Sequence, residues 1–304
     1  MNQKTEYITK LPGFIIGGAP KSGTTTLSRY LSKHNQLFMP EQEMNFYAFY
    51  EQEQNYSMHQ INHPNNFEEY NAHFQFNTNE KNCLSGEKSV SYFYVDWCEN
   101  IIKNIKSLHP NADEIKFIFI LRQPVDRMFS QFVFNTGFDE KLSFEEAIEA
   151  WANRKKSNWL PAYDYVGASK YTMSIATYQQ AFKHVKVYLF EDLVGQKEWL
   201  LTDLARYLDI EEDAFKHMPD SQFNTGYMAS NNFAQQMQRI QQIPILKKMT
   251  SFILSENRKQ PLKSRFFNKA ILDTEIRKKW TNEFTKDILA LEKLIGRDLK
   301  HWLV

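Results

Sequence analysis

Residues 14–27 read FIIGGAPKSGTTTL, and this stretch decides the fold. Its apolar start predicts a buried strand, its glycines a tight turn, and its threonine run the first turn of a helix. Such a turn directs backbone N–H groups and the positive end of a helix dipole at one point, which suits a bound phosphate. Gly23 lets the backbone approach the ligand, and Lys21 adds a mobile positive charge. The alternative is a plain strand–turn–helix connection in which the threonines cap the helix.

The order of residues in this turn excludes a Walker A motif, which places its lysine after the last glycine. Here Lys21 precedes Gly23. The turn instead resembles the P-K-x-G-[ST]-[ST]-x-L loop of sulfotransferases that use 3′-phosphoadenosine-5′-phosphosulfate (PAPS), and residues 20–27 match every position. The resemblance implies that the 5′-phosphosulfate of the donor contacts the whole turn, namely Lys21, Ser22, Gly23, Thr24, Thr25 and Thr26.

A second stretch, LRQPVDRMFS at residues 121–130, ends the most apolar segment of the chain. Ligands of an open α/β sheet bind beyond the carboxyl ends of its strands, where Arg122 is expected. The alternative is an ion pair between Arg122 and Asp126 beside a surface serine. The stretch resembles the R-x-P-x-x-R-x-x-S motif of the same family, which implies that Arg122 and Ser130 hold the 3′-phosphate of the donor.

One further segment resembles the branch of the family that includes the heparan sulfate enzymes and many bacterial members. GEKSVSYF at residues 86–93 is similar to the E-K-[ST]-x-x-Y-[FL] pattern of that branch. The resemblance implies that Lys88 faces the transferring group. Val90 stands where the branch that modifies phenols and steroids carries its base histidine, so the histidine mechanism is not expected here.

The resemblance assigns the base to a glutamate instead. PEQEMNFY at residues 40–47 is similar to the K-E-x-x-[FY]-[FYW] segment of the heparan-type branch, with Gln42 in place of the lysine. This implies that Glu43 deprotonates the acceptor, and Glu41 is a competing candidate. Either glutamate is alternatively a solvated surface residue.

Four shorter segments agree with the family more loosely: SKY at residues 169–171, LFEDL at 189–193, NTG at 224–226, and GRDL at 296–299 with Trp302. The first implies a nucleotide contact from Tyr171. The third implies a part of the loop that covers the nucleotide.

Apolar periodicity predicts strands alternating with helices over the whole chain. The strands are expected at residues 14–18, 82–87, 115–121 and 186–190. Helices are expected at residues 24–34, 95–109 and 280–295, and another follows the last strand and ends near residue 208. This alternation favours an α/β fold with a doubly wound central parallel sheet flanked by helices, and the resemblance implies the P-loop-NTPase-like sulfotransferase fold. We expect a single domain over residues 1–304, with a helix and loop insertion near 51–81 and a C-terminal helical segment near 230–304.

The resemblance implies an enzyme that moves the sulfuryl group of PAPS to a hydroxyl or amine acceptor and releases adenosine 3′,5′-bisphosphate. A carbohydrate acceptor is expected, with a lipid, polyketide or other small-molecule alcohol as the alternative. No bound metal is expected. A P-loop kinase of a small molecule and a non-catalytic nucleotide-binding protein are the alternative functions.

Composition narrows the class of partner and the compartment. A formal net charge of +1 over 304 residues argues against broad nucleic-acid binding. The first ten residues are polar, which argues against a signal peptide, and the longest strongly apolar run, residues 117–121, is far shorter than a membrane span. The sequence therefore predicts a cytoplasmic protein without a transmembrane segment.

Overall fold

The computed structural model describes residues 7–51, 61–77, 83–215, 227–229 and 267–304. Within these ranges the chain alternates strands with helices, as the apolar pattern predicts. In chain order the elements are β1 (Tyr7–Thr9), β2 (Phe14–Gly18), α1 (Thr24–Leu31), β3 (Leu37–Phe38), α2 (Phe46–Phe49), α3 (Phe67–Ala72), β4 (Gln75–Asn77), β5 (Leu84–Lys88), α4 (Val95–Leu108), β6 (Lys116–Leu121), α5 (Pro124–Asn135), α6 (Phe144–Glu149), α7 (Trp151–Lys156), α8 (Thr172–Ala181), β7 (His184–Leu189), α9 (Phe190–Gly195), α10 (Lys197–Leu208), β8 (Tyr227–Ala229), β9 (Phe267–Lys269) and α11 (Thr274–Ile295).

Five parallel strands form the central sheet in the order β3-β5-β2-β6-β7. The predicted α/β class with a central parallel sheet is therefore confirmed. After β2 the chain first adds β3 and β5 on one side and then β6 and β7 on the other, so the strand order reverses around β2. A crevice forms at such a reversal beyond the carboxyl ends of the strands, and the predicted phosphate turn follows β2 there.

The alternation of side chains along β2 and β6 divides the interior into two apolar layers. Phe14 and Ile16 face a cluster that includes side chains of α1 and α10. Ile15 and Phe117 face a second cluster that includes side chains of α4, α5 and α8. Helices thus cover both faces of the sheet, and this double cover fixes the carboxyl ends of β2, β5 and β6 relative to one another.

Several predicted boundaries differ from the structure: the first helix ends at Leu31 and not at residue 34, and the strand expected from residue 186 begins at His184. Two further differences have identifiable reasons. The strand expected to end at Phe190 ends at Leu189, because the Asp192 carboxylate accepts the Leu189 N–H at 2.8 Å and Phe190 begins α9. The helix expected to begin at residue 280 begins at Thr274, where the Asp273 carboxylate caps it. Residues 274–279 contain one apolar residue, Ile276, which is half-buried against the core, so their periodicity is too weak to reveal the start of α11.

The predicted insertion at residues 51–81 contributes α3 and β4 to the described part of the chain. Strand β4 pairs antiparallel with β1 and lies outside the central sheet. The predicted loop at residues 224–226 and the predicted C-terminal segment up to residue 266 lie outside the described residues. Among the helices that the structure describes, none combines the length and the apolar character needed to cross a membrane.

Candidate functional site

The turn after β2 presents backbone donors at the carboxyl edge of the sheet. Gly23 precedes α1 as its N-cap and has a φ of 98°, a left-handed conformation that glycine adopts without strain. A side chain there would meet Leu193, since a Cβ atom would lie 2.9 Å from its Cδ2. Because the N-cap is a glycine, no side-chain oxygen caps α1. The first amides of the helix therefore remain available to an anion.

Two cations flank this turn. The Lys21 ammonium lies 4.2 Å from the centre of the Phe134 ring, and the Arg122 guanidinium lies 4.9 Å from the centre of the Phe190 ring. Burial, together with the charges of Arg127 and Arg122, lowers the pKa of Lys21 to about 8, against a smaller opposing effect of Glu43. A cation whose charge is this strongly disfavoured is stabilised when an anion binds beside it.

The ion pair between Arg122 and Asp126, which was the alternative to a phosphate site, does not form. Asp126 pairs with Arg277 of α11. In the part of the chain that the structure describes, no carboxylate lies within ion-pair distance of Arg122. The guanidinium instead lies over an aromatic ring with its donors directed toward the turn, where Nη1 is 3.5 Å from the Lys21 carbonyl oxygen.

Lys88, at the end of β5, contacts both the Glu43 segment and the turn before α1. Its Nζ lies 3.1 Å from Glu43 Oε1 and donates to Thr25 Oγ1 at 3.3 Å. Glu41, the competing glutamate, is exposed and does not line the cavity described below. Of the two glutamates, only Glu43 contacts Lys88 and lines the cavity.

The segment that carries Glu43 is fixed by the residues after Lys88. Asn45 has a φ of 51°, a conformation that asparagine tolerates better than most residues. Its N–H donates to Ser89 Oγ at 2.9 Å, and its side-chain oxygen accepts from Ser91 Oγ at 2.6 Å. The two serines of the GEKSVS segment thus hold the Glu43 segment against β5.

A buried carboxyl group lies directly before Lys88. Glu87 is fully buried, and its Oε2 accepts a hydrogen bond of 3.1 Å from the Tyr70 hydroxyl. Burial raises the pKa of Glu87 to about 8, although hydrogen bonds from Tyr92, Tyr70 and Ser89 oppose the shift. The carboxyl group is therefore largely protonated at neutral pH and needs no counter-charge in the core.

These groups surround one cavity of about 480 Å³. Most of the predicted site residues line it, namely Lys21, Gly23, Thr24, Thr25, Thr26, Glu43, Arg122 and Ser130. Lys88 is not part of the lining, but its ammonium contacts Glu43 and Thr25, which are. Within the described ranges, no group of three His, Cys, Asp or Glu side chains is arranged to hold a metal ion.

Two predicted site residues lie behind the cavity wall. Ser22 is fully buried, and its hydroxyl has no hydrogen-bond partner among the described residues. Tyr171 is also fully buried, and its hydroxyl donates to the Arg122 carbonyl oxygen at 2.7 Å. Tyr171 is therefore placed to hold the backbone of Arg122 in position.

The loosely matching C-terminal segments form a single clamp behind Arg122. Arg297 makes a bidentate ion pair with Asp192, with both N–O distances at 2.8 Å. Trp302 Nε1 donates to Glu191 at 3.0 Å, and the Trp302 carbonyl oxygen accepts from Gln123 Nε2 at 3.1 Å. The chain end thus ties α9 to the residue that follows Arg122.

Sequence reasoning missed three aromatic and polar contributors to the wall. Phe190 lies under Arg122, Phe134 lies under Lys21, and Asn45 fixes the Glu43 segment. The position of Phe190 at a strand end was a usable signal, because strand ends form the ligand edge of this type of sheet. Nothing in the local sequence of Phe134 or Asn45 marks them.

Comparison with known proteins agrees with this geometry. Residues 12–214 match a family model described as the sulfotransferase family. The membrane-associated sulfotransferase kil1 of Dictyostelium discoideum is 33% identical over 127 residues, which are 41% of this chain and only 23% of that protein.

A solved structure shares the fold. The crystal structure of a sulfotransferase from Alicyclobacillus acidocaldarius superposes with a TM-score of 0.69 over 96% of this chain and 99% of that one, at 21% identity. This likeness over nearly the whole of both chains agrees with the central parallel sheet and flanking helices described above. With two phosphate-type motifs at one sheet edge and a family match that covers both of them, the chain belongs to the sulfotransferase family.

Proposed function

We propose that this protein transfers the sulfuryl group of PAPS to a hydroxyl or amine acceptor and releases adenosine 3′,5′-bisphosphate. One observation carries the proposal. Lys21, Arg122 and the uncapped start of α1 converge on one cavity, and the described part of the chain offers no carboxylate partner to Arg122. A ligand with two separate anionic groups fits this arrangement. PAPS is such a ligand, because its ribose carries one phosphate at the 3′ position and the phosphosulfate at the 5′ position.

The donor set fits the two ends of such a nucleotide. Lys21 and the first amides of α1 would hold the 5′-phosphosulfate, as preorganised donors hold an anion at a helix start. Arg122 and Ser130 would hold the 3′-phosphate through a charge-assisted fork and a hydroxyl. Tyr171 and the C-terminal clamp would act indirectly, since they contact the backbone of Arg122 and its neighbour Gln123.

The transfer step assigns one role to each remaining group. The acceptor oxygen or nitrogen forms a bond to sulfur while the bond between sulfur and the bridging phosphate oxygen breaks. The electron pair of that bond leaves with the bisphosphate, and the acceptor proton passes to Glu43. A positioned general base of this kind contributes about 10²–10⁴-fold to the rate.

Lys88 would couple the two events. In the unliganded site its ammonium is shared between Glu43 and Thr25. The Glu43 carboxylate becomes neutral when it takes the proton. The Lys88 ammonium is then free to stabilise the charge that develops on the departing phosphate beside the turn. The contact with Thr25 keeps Lys88 within reach of that turn.

Label transfer tests the proposal. We expect the wild-type protein, given ³⁵S-labelled PAPS and an extract of small molecules, to produce labelled organic products and unlabelled bisphosphate in equal amounts. Lys21→Ala should produce neither, whereas Arg29→Ala, which changes an exposed arginine on α1, should behave as wild type. Unchanged label transfer by Lys21→Ala, or none by the wild type, contradicts the proposal.

Family membership makes us set aside the small-molecule kinase as a proposal. The label-transfer experiment tests the other alternative, a non-catalytic nucleotide-binding protein, because such a protein would transfer no label. The carbohydrate acceptor, the single domain and the cytoplasmic location remain predictions.

A further inference from the structure

The cavity has two chemically different ends. Its charged lining residues, Lys21, Glu43 and Arg122, belong to the phosphate edge of the sheet. The described part of the remaining wall is more apolar than polar: it includes Val90, Leu160 and Ala162, together with Gln131, Asn135 and Tyr163.

Along helix α5 the residues that line the cavity change from polar to apolar. Ser130 lies on the second turn of α5, Phe134 one turn later, and Phe138 just beyond the end of the helix. Successive turns are about 5.4 Å apart, so the lining becomes apolar over roughly 10 Å away from Arg122. The rings of Phe134 and Phe138 are in contact, with centroids 5.1 Å apart.

One amide group at this end is already engaged. Asn135 lines the cavity, but its Nδ2 donates to the Ala162 carbonyl at 3.0 Å and to the Tyr165 hydroxyl at 3.1 Å. Its Oδ1 accepts from Gln131 Nε2 at 2.9 Å. The Asn135 amide therefore has no donor left for a ligand.

Building on the proposed function, we infer that the acceptor is a neutral alcohol whose body is apolar. Its hydroxyl would reach Glu43 while an aliphatic or aromatic body lies against Val90, Leu160 and Ala162. A sugar or a polyanionic glycan would surrender hydrogen bonds to water, and the described part of this wall, with Gln131, Tyr94 and Tyr163, replaces them only in part. The resemblance behind the carbohydrate prediction concerns Glu43 and Lys88, which act on the proton and the sulfuryl group and carry no information about the acceptor body.

The inference predicts a dependence on chain length. With saturating PAPS, release of bisphosphate should be measured for ethanol, butanol, hexanol and octanol, and for glucose and an unsulfated heparan-type oligosaccharide. We expect kcat/KM to rise by about fourfold per added methylene until the wall is filled, because each buried methylene contributes about 0.8 kcal/mol. The two carbohydrates should react more slowly than hexanol.

Two matched variants locate the effect. Val90→Thr keeps the volume but adds a hydroxyl to the wall, so kcat/KM for hexanol should fall by about tenfold. Val95→Thr makes the same change at an exposed position on α4 and should have no effect. Both variants should bind adenosine 3′,5′-bisphosphate as the wild type does in calorimetry.

The outcomes distinguish the inferred acceptor class from the proposed transfer. If the bisphosphate binds but kcat/KM does not rise along the alcohol series, or a carbohydrate exceeds hexanol, the inferred acceptor class is wrong and the proposed transfer stands. The acceptor class is also wrong if the bisphosphate binds and no alcohol reacts. Failure of the wild type to bind the bisphosphate overturns the proposed function itself.

Discussion

The Lys88 ammonium lies 3.1 Å from the Glu43 carboxylate, and this contact joins two segments that are 45 residues apart in the chain. Asn45 maintains it from one side by accepting from Ser91 and donating to Ser89. The pair brings a proton acceptor and a cation to the same point beside the phosphate turn. We therefore expect Glu43 and Lys88 to have separable effects on catalysis and on nucleotide binding.

Glu43→Gln should lower kcat by about 10²–10⁴-fold, because the amide cannot accept the acceptor proton. The bisphosphate dissociation constant should change little, since the amide keeps the shape of the carboxylate. Steady-state kinetics beside calorimetry measures both quantities. Glu41→Gln is the matched control, because Glu41 is exposed and outside the cavity lining. Equal kcat values for the two variants would show that Glu43 is not the base.

Lys21 predicts a pH dependence of nucleotide binding. Its pKa of about 8 in the unliganded protein means that the ammonium loses its proton as the pH rises through 8. Binding of an anion favours the charged form, so affinity for the bisphosphate should be highest below pH 8 and fall by up to about tenfold per pH unit above it. Calorimetry from pH 7 to 9.5 measures this fall. Lys21→Arg should show little change of affinity with pH, because arginine stays charged. If the affinities of wild type and variant fall in parallel as the pH rises, Lys21 is not the group that causes the pH dependence.

The buried carboxyl group of Glu87 predicts a pH dependence of the free energy of unfolding. Its folded pKa of about 8 lies above the ordinary value of 4.5, so the folded state holds a proton that the unfolded state has lost between these two pH values. The free energy of unfolding contributed by this group is therefore present below about pH 4.5 and declines as the pH rises toward 8, by about 1.4 kcal/mol per unit.

Glu87→Gln should remove that decline, because the amide replaces the protonated carboxyl group without titrating. Urea unfolding of both proteins at pH 5, 6.5 and 8 gives the comparison. The difference in unfolding free energy between wild type and variant should change in favour of the variant as the pH rises. A constant difference across the three pH values would mean that Glu87 does not hold a proton in the folded protein.

The clamp between Arg297 and Asp192 should affect both stability and donor binding. Asp192 is almost fully buried, so Arg297→Ala leaves its carboxylate without its cation and should lower the unfolding free energy by about 2–4 kcal/mol. Lys183→Ala breaks an exposed pair with Glu114 and should cost less than about 1 kcal/mol. Thermal unfolding and the KM for PAPS should both respond to Arg297→Ala only. A loss of stability without a rise in KM would show that the clamp does not position Arg122.

Much of this architecture follows from local sequence. The short apolar runs around Ile16 and Phe119 predict the two central strands, because strands that are buried on both faces have continuous apolar residues. The inverted order of Lys21 and Gly23 distinguishes the turn from a Walker A motif on sequence alone. The start of α11 differs from the prediction, because Ile276 is the single apolar residue among its first six and one residue shows no period.

The long-range contacts of the site have no local signature. The pairing of Asn45 with Ser89 and Ser91 depends on a left-handed backbone at Asn45, which many asparagines never adopt. The partner of Asp126 is Arg277, 151 residues away, and no spacing rule connects them. The apolar part of the cavity wall likewise has no local signature, because Val90, Phe138 and Leu160 line one cavity only in the folded protein.

The proposed function depends above all on Arg122 reading a 3′-phosphate while the turn at Lys21 holds a 5′-phosphate. Calorimetric titration with adenosine 3′,5′-bisphosphate and with adenosine 5′-monophosphate, on wild type and Arg122→Ala, measures this without any acceptor. We predict that the wild type prefers the bisphosphate by about 10- to 100-fold, as a charge-assisted contact provides, and that Arg122→Ala loses this preference while its affinity for the monophosphate changes little. An unchanged preference in Arg122→Ala, or none in the wild type, would contradict these two assignments.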